Sequence, residues 1–134
     1  MIAWQGGDPG VVDDAGKLPQ ARLSHQIAAP RAGYVTALDA LLVGRAAVAL
    51  GAGRDKKGDQ VDLSAGILLR KKPGEQVRAG EPVLEVRYND QSRLAAAVTL
   101  ATEAVVIGDA APPEPPLIMG WVHDHGETMF VGGT

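Results

Sequence analysis

The segment from Asp39 to Gly51 constrains the fold more than any other part of the sequence. Asp39 suits the capping position that opens a helix, because its carboxylate can accept a hydrogen bond from a free amide of the first turn. Gly51 suits the left-handed residue that ends a helix, since it has no Cβ to clash there. One face of the intervening helix is marked by apolar residues at helical spacing: Leu42, Ala46, Ala49 and Leu50. Because nearly every other position is also apolar, the pattern predicts a buried helix on which the rest of the domain packs.

Short strands are predicted on both sides of this helix. The candidates are 23–28, 33–38, a run over 61–72 broken near residue 66, and a final pair around Val77 and 83–86. Ser92 is predicted to cap a second helix, with an apolar face made by Leu94, Val98, Ala101 and Val105. The predicted fold class is therefore α+β: a small α/β domain with a central buried helix, short and mostly antiparallel strands, and a second helix.

The two ends of the chain are predicted to lie outside this domain. Ile2–Trp4 is typical of the last turn of a helix that Gly6 and Gly7 close, and residues 10–20 are typical of an extended connector. Beyond Gly108 the chain is rich in proline, and from Gly120 it is expected to be a tail. A helix that ends so soon after the first residue suggests a piece of a longer polypeptide.

Composition excludes several classes of function. The 134 residues fit one domain, and a net charge of −3 without a basic stripe argues against nucleic acid as a partner. No apolar run approaches the roughly 20 residues that cross a bilayer, and the charged-then-apolar layout of a secretion signal is missing. The sequence has no cysteine, so disulfides and thiolate metal sites are excluded within it. Together these features favour a cytoplasmic protein.

The glycine-rich segment Gly51–Lys57 could be interpreted as a phosphate-binding loop. Phosphate prefers the N-terminus of a helix, where free amides and the positive end of the dipole converge. These glycines instead follow a helix C-terminus, where the dipole favours the cations Arg54, Lys56 and Lys57 themselves. A structural cap followed by a solvated turn is therefore the preferred interpretation, and a phosphate contact is the alternative.

Histidines and prolines supply further candidates. His123, Asp124, His125 and Glu127 contain metal-ligating groups, but the surrounding glycines favour a surface tail over a fixed metal geometry. His25 follows Ser24 without a carboxylate in local reach, so an exposed or edge-strand histidine is expected rather than a general base. Residues 112–116 could dock as a polyproline ligand, although a stiff spacer is expected.

Two pairs of acids complete the candidate residues. Asp13 and Asp14 are adjacent, and Glu81 and Glu85 lie four residues apart. Neither pair sits in a recognisably apolar pocket that would drive the two pKa values apart. We therefore predict no catalytic, substrate-binding or metal-binding residue in this chain.

A series of short motifs nevertheless resembles one known family, the C-terminal domain of the thymidine phosphorylase / pyrimidine-nucleoside phosphorylases. The motifs are Gln5-Gly6-Gly7-Asp8, Gly33-Tyr34-Val35, Leu50-Gly51-Ala52-Gly53-Arg54 with Lys56-Lys57 and Asp59, Gly66-Ile67, Gly74-Glu75-Gln76-Val77 and Gly80. Each motif alone is weak, but their order and spacing over about residues 2 to 118 make the resemblance specific.

The resemblance implies that this chain is one domain of a larger enzyme. The family enzyme is a homodimeric pentosyltransferase that cleaves a pyrimidine nucleoside with inorganic phosphate, and its binding residues lie in domains upstream of this one. It also implies a hammerhead-like fold, no cofactor in this chain, and the enzyme's remaining domains as partners. The expected boundaries are 1–20 for the end of a preceding helix and a linker, 21–119 for the domain, and 120–134 for a tail of unassigned role.

A biotinyl- or lipoyl-type carrier domain is the alternative. The run 74–84 is similar to one half of such domains, which present a modified lysine on a tight hairpin. The corresponding place here reads Arg87-Tyr88-Asn89-Asp90 and offers no lysine, while Lys71 and Lys72 precede the turn.

Overall fold

The computed structural model describes residues 1–54, 56–116, 118, 120–123 and 126–129, and it has the α+β architecture that the sequence predicts. The strands are β1 (Leu23–Ala28), β2 (Gly33–Leu38), β3 (Gly66–Leu69), β4 (Gln76–Val77), β5 (Pro82–Tyr88), β6 (Val105–Gly108), β7 (Gly120–His123) and β8 (Gly126–Met129). The helices are α1 (Ala40–Leu50) and α2 (Leu94–Glu103). Neither of these helices has the length and apolar character that crossing a bilayer would require, within the described residues.

The chain alternates between two small sheets. The first sheet has the order β1-β5-β3 and the second has the order β4-β2-β6, and every pairing within them is antiparallel. Among β1 to β6, the odd-numbered strands therefore belong to one sheet and the even-numbered strands to the other, while β7 and β8 pair with each other. The predicted final pair of strands exists as β4 and β5, but the two lie in different sheets instead of pairing with each other.

The core is built from small and medium aliphatic side chains. Val83, Leu84 and Val86 of the central strand β5 are fully buried. Val35 and Val77 contribute from the second sheet, while Ala46, Ala97 and Ala101 contribute from the two helices. Alanine at the helical positions allows α1 and α2 to pack closely on each other.

Helix α1 has the ends that the sequence predicts, but not the predicted burial. The Asp39 carboxylate accepts a hydrogen bond from the Leu42 amide at 2.9 Å, and Gly51 closes the helix with φ +99°. Only Ala46 and Leu50 are buried, whereas Leu41 is 63% exposed. The prediction of a helix buried all round was therefore wrong, because α1 packs through one face on α2 and the first sheet.

Helix α2 differs from the prediction at both ends. Asp90, not Ser92, is the capping residue: it accepts bonds from the Ser92 amide and hydroxyl and opens a 3-10 turn that leads into α2. The buried residues of α2 are Ala97 and Ala101. Val105, assigned from the sequence to the helix, is the first residue of β6.

Three other segments depart from the prediction. The run 61–72 forms regular strand only from Gly66 onwards, and residues 9–17 contain two 3-10 turns rather than an extended connector. Ala3–Gln5 is also a 3-10 turn, which ends at Gly6 in the left-handed conformation. The expected tail contains the β7–β8 hairpin, and the rest of 120–134 lies outside the described residues.

Candidate functional site

The glycine-rich segment after α1 is a helix cap, as predicted. The amide of Gly51 donates to the Val48 carbonyl at 2.9 Å, and the amide of Ala52 donates to the Ala47 carbonyl at 3.0 Å. This pairing satisfies carbonyls that a helix end otherwise leaves without partners. The same bonds occupy amides that a phosphate would need, so these two positions do not provide a phosphate-binding nest.

A polar network joins the end of α1 to the end of β5. Oδ2 of Asp62 accepts a hydrogen bond from Nδ2 of Asn89 at 2.7 Å, and Oδ1 accepts bonds from the Ser64 amide and hydroxyl at 3.0 and 2.7 Å. The Asp62 amide donates to the Gly51 carbonyl at 2.8 Å. Oδ1 of Asn89 accepts a bond from the Arg22 amide at 2.9 Å, so the network also reaches the residue before β1.

The network holds its carboxylate in the charged form. The Asn89 hydrogen bond, followed by those from Ser64, lowers the pKa of Asp62 to about 2. A carboxylate that accepts several hydrogen bonds favours ionisation, because protonation would remove an acceptor from each donor. Asp62 therefore acts as a structural junction and is a poor proton donor at neutral pH.

Glu85 is the one buried charged residue among those described, and it lies at the centre of β5 with 8% of its surface exposed. Its Oε2 accepts hydrogen bonds from Nε (3.0 Å) and Nη2 of Arg70, and its Oε1 accepts one from Nε of Arg87 at 2.9 Å. The Arg70 guanidinium, with a smaller effect of Arg87, holds the pKa of Glu85 below its usual value. Burial alone would raise that pKa, so the two arginines determine its charge.

The structure separates Glu81 from Glu85. Glu81 lies in the turn before β5, where its carboxylate accepts a bond from the Arg78 amide at 2.9 Å and pairs with Nζ of Lys71 at 2.9 Å. These contacts also lower the pKa of Glu81, with the Arg78 amide as the largest cause. Both carboxylates are therefore stabilised in the same charged state.

The two lysines relevant to the carrier alternative, Lys71 and Lys72, lie close to the turn that precedes β4. Nζ of Lys71 donates to the Gln76 carbonyl at 3.2 Å in addition to its pairing with Glu81, and the Lys72 amide donates to Oε2 of Glu75 at 2.6 Å. An open cleft of about 700 Å³ lies beside this turn, lined by Lys71 and residues 76–81. The Lys71 amine is therefore engaged within the fold, whereas the bond at Lys72 involves its backbone amide.

The structure does not bring the side chains of the other candidates into one site; these candidates are Ser24, His25, Asp13 and Asp14. Ser24 and His25 pair with Arg87 and Val86 on β5, so consecutive positions of β1 place them on opposite faces of the sheet. Asp14 caps a 3-10 turn through the Gly16 amide at 2.9 Å, while Asp13 is exposed.

The C-terminal candidates lie partly outside the described residues. His123 pairs with Gly126 in the β7–β8 hairpin and Glu127 pairs with Val122, whereas Asp124 and His125 are not described. Among the residues that the structure does describe, no group of three or more His, Asp or Glu side chains could hold a metal ion. Residues 112–116 are largely exposed, and their role as a spacer or a ligand stays a prediction.

Sequence reasoning missed the two polar networks around Asp62 and Glu85. The Asp62-x-Ser64 spacing is a visible signal for a local turn, since an aspartate can accept a bond from the amide two residues on. Asn89 is 27 residues further along the chain, and its contact with Asp62 has no local signature. Glu85 was considered only as a member of an acid pair with Glu81, and its contact with Arg70 joins positions 15 residues apart.

Comparison with known proteins gives consistent matches. The profile of the family described as "Pyrimidine nucleoside phosphorylase C-terminal domain" matches residues 34–108. A pyrimidine-nucleoside phosphorylase of Bacillus subtilis is 47% identical over 88 residues, which cover 66% of this chain and 20% of that protein. One from Staphylococcus aureus strain USA300 is 40% identical over 111 residues, which cover 78% of this chain and 26% of that protein.

The chain thus spans about a fifth to a quarter of the length of the curated relatives it matches. These relatives give no support to the carrier-domain alternative. The family profile covers more than half of the chain and includes α1, α2 and strands of both sheets. The chain therefore belongs to the pyrimidine nucleoside phosphorylase C-terminal domain family.

Proposed function

We propose that this chain is the C-terminal domain of a pyrimidine-nucleoside phosphorylase, a pentosyltransferase. The full enzyme would use inorganic phosphate to cleave the glycosidic bond of a pyrimidine nucleoside, giving the free base and a pentose 1-phosphate. The observation that carries this proposal is the 47% identity to a protein of that name across two thirds of the chain.

The contribution of this domain to catalysis is proposed to be mechanical. Its strongly held carboxylates are engaged in internal contacts: Asp62 with Asn89 and Ser64, and Glu85 with Arg70 and Arg87. Groups held in this way stiffen the fold and are not available for proton transfer. A rigid lobe of this kind would support a neighbouring domain whose movement closes the active-site cleft and excludes water.

Several finer features belong to the same proposal. The full enzyme would be a cytoplasmic homodimer, and its phosphate and nucleoside would bind to residues outside this chain. Residues 21–119 would form the domain proper, with 1–20 leading in from the rest of the enzyme and 120–134 following the domain. No residue of this chain is assigned a catalytic, substrate-binding or metal-binding role.

The proposal is tested by comparing the full-length enzyme with the isolated 134-residue chain. Each is incubated with inorganic phosphate and either thymidine or uridine, and release of the free base is followed by chromatography. We expect phosphate-dependent turnover by the full enzyme and none by the isolated chain. Turnover by the isolated chain would refute the mechanical role, and a full enzyme inactive on all pyrimidine nucleosides would refute the proposed activity.

A further inference from the structure

An open cleft lies between α1 and the residue that leads into α2. Its volume is about 570 Å³, and it is lined by Arg45, Val48 and Ala49 of α1 and by Arg93. The two arginines are exposed, whereas Val48 and Ala49 are half-buried. This cleft, which we call the α1–α2 cleft, therefore combines two guanidinium groups with a small apolar surface.

Helix α1 supplies one wall of the cleft. Val48 and Ala49 follow Arg45 by three and four residues, so the three side chains share one face of the helix. The turn after the helix lies against this wall, because a Cβ at Gly53 would come within 2.7 Å of Cγ2 of Val48. The turn therefore limits the movement of Val48 and keeps the apolar surface in place.

Arg93 is held on the other side of the cleft. Its Nε pairs with Oδ2 of Asp90 at 3.4 Å, while Oδ1 of Asp90 is fixed by bonds from the Ser92 amide and hydroxyl. Its Nη1 lies 3.3 Å from the position that a Cβ at Gly51 would occupy. The η nitrogens of Arg93 make no hydrogen bond to any residue that the structure describes, so their donors are available to a ligand.

The charge of the cleft is not neutralised from within. The Arg45 side chain forms no ion pair or hydrogen bond with another described residue, and no carboxylate is among the described residues that line the cleft. Arg70 and Arg87 differ in this respect, since the Glu85 carboxylate lies between them. A cleft lined by charge of one sign concentrates counter-ions of the other sign.

The lining residues indicate the chemistry of a ligand. The planar guanidinium group binds phosphate and carboxylate through pairs of parallel hydrogen bonds. A phosphate monoester carries close to two negative charges at neutral pH, which matches two arginines. The half-buried side chains of Val48 and Ala49 would contact an apolar body attached to that phosphate, and about 570 Å³ lies within the usual range for small-molecule sites.

We propose that the α1–α2 cleft binds a phosphate monoester with a small apolar body. Arg45 and Arg93 hold the phosphate from the two sides of the cleft, and the apolar body lies on Val48 and Ala49. This assignment adds a ligand to the proposed function and does not depend on it.

Protection of arginines from chemical modification tests the assignment in the full-length enzyme. Phenylglyoxal reacts with accessible guanidinium groups, and peptide mass spectrometry gives the rate at each arginine. At constant ionic strength, about 5 mM phenyl phosphate should slow the reaction of Arg45 and Arg93 at least about fivefold, as mass action gives for a Kd of about 1 mM. Inorganic phosphate and phenol, at the same concentration, should each protect less.

Two variants separate the cleft from the general effect of an anion. Arg45→Gln should remove most of the protection of Arg93, because a single guanidinium then holds the phosphate. Arg78→Gln removes an exposed arginine from the turn before β5, outside the cleft, and should leave the protection of Arg45 and Arg93 unchanged.

Three results would overturn the assignment. The first is an absence of protection by phenyl phosphate, or equal protection by inorganic phosphate. The second is equal protection of Arg78, which would show that the anion only screens charge. The third is modification of Arg45 and Arg93 far more slowly than Arg78 without any ligand, because another part of the enzyme would then fill the cleft. The readout is separate from the phosphorolysis assay, so failure of one does not imply failure of the other.

Discussion

Substitution of Asp62 by asparagine tests whether the network at the end of α1 stabilises the domain. The three donors on this carboxylate are the Asn89 side-chain amide, the Ser64 amide and the Ser64 hydroxyl. Asparagine has one acceptor oxygen in place of two, so its own amide group would face a donor. We expect Asp62→Asn to lower the free energy of unfolding of this chain at pH 7, as measured by urea titration.

The magnitude follows from the pKa of Asp62. That pKa falls from 3.8 to about 2 on folding, and each pH unit between the two values is worth about 1.4 kcal/mol. The upper limit is therefore about 2.5 kcal/mol, and partial contact of the carboxylate with water reduces the expected loss to about 1–2 kcal/mol.

The effect has a defined pH dependence. Because the pKa is lower in the folded state, the ionised carboxylate contributes its full stabilisation above about pH 4 and loses it as the pH falls towards 2. The difference between the wild type and Asp62→Asn should therefore be constant from pH 5 to 7 and shrink between pH 4 and 2. Comparison of the two proteins removes the contribution of the other carboxylates, which titrate in both.

A double substitution provides the matched control. Combining Asp62→Asn with Asn89→Asp exchanges donor and acceptor, so the amide at 62 can donate to the carboxylate at 89. That carboxylate can still accept the Arg22 amide. The double variant should recover at least half of the lost stability. The reasoning is refuted if Asp62→Asn stays within about 0.5 kcal/mol of the wild type at pH 7, or if its deficit is the same at pH 2.5.

Three further predictions concern the sheets and α1. Glu85→Ala should lower the free energy of unfolding by about 1–3 kcal/mol in urea titrations, because it leaves the two arginines without their shared carboxylate. Glu85→Gln should lower the free energy of unfolding by less. No loss of stability in either variant would contradict a stabilising role for the ion pairs. Gly44→Ala should raise the melting temperature slightly, because the added Cβ meets nothing within 4 Å and alanine favours the helix by about 0.5–1 kcal/mol. Gly33→Ala should lower the melting temperature, because the added Cβ would collide with the Gly108 carbonyl between β2 and β6. Equal melting temperatures for the Gly44 and Gly33 variants would contradict both the open space at Gly44 and the close contact at Gly33.

The elements predicted well are those whose signals are local. Strands β1 and β2 were predicted with the residues that the structure shows, and α1 begins and ends at the two capping residues chosen from the sequence. Caps and glycine ends act through hydrogen bonds within a few residues, so one sequence is enough to find them.

The failures come from contacts between distant segments. Val105 continues the apolar spacing of α2, yet pairing with Leu38 draws it into β6. Burial of α1 was overestimated because the apolar spacing of a helix does not show how many of its faces other elements of the domain cover. The acceptor groups of Asp62 and Glu85 were visible, but their partners depend on the pairing of strands. The proposed function rests on the family resemblance, since no residue pattern within the chain indicates it.

The alternation of strands between the two sheets has a consequence for how this domain can be divided. A cut in any connection between β1 and β6 separates at least one pair of hydrogen-bonded strands, because no two consecutive strands of this region share a sheet. Most of the partnerships join distant positions, which is the arrangement associated with slower assembly. We therefore expect no shorter fragment of the 23–108 region to survive alone. Gene fusions and rearrangements should carry that region intact, with changes of length tolerated at its two ends.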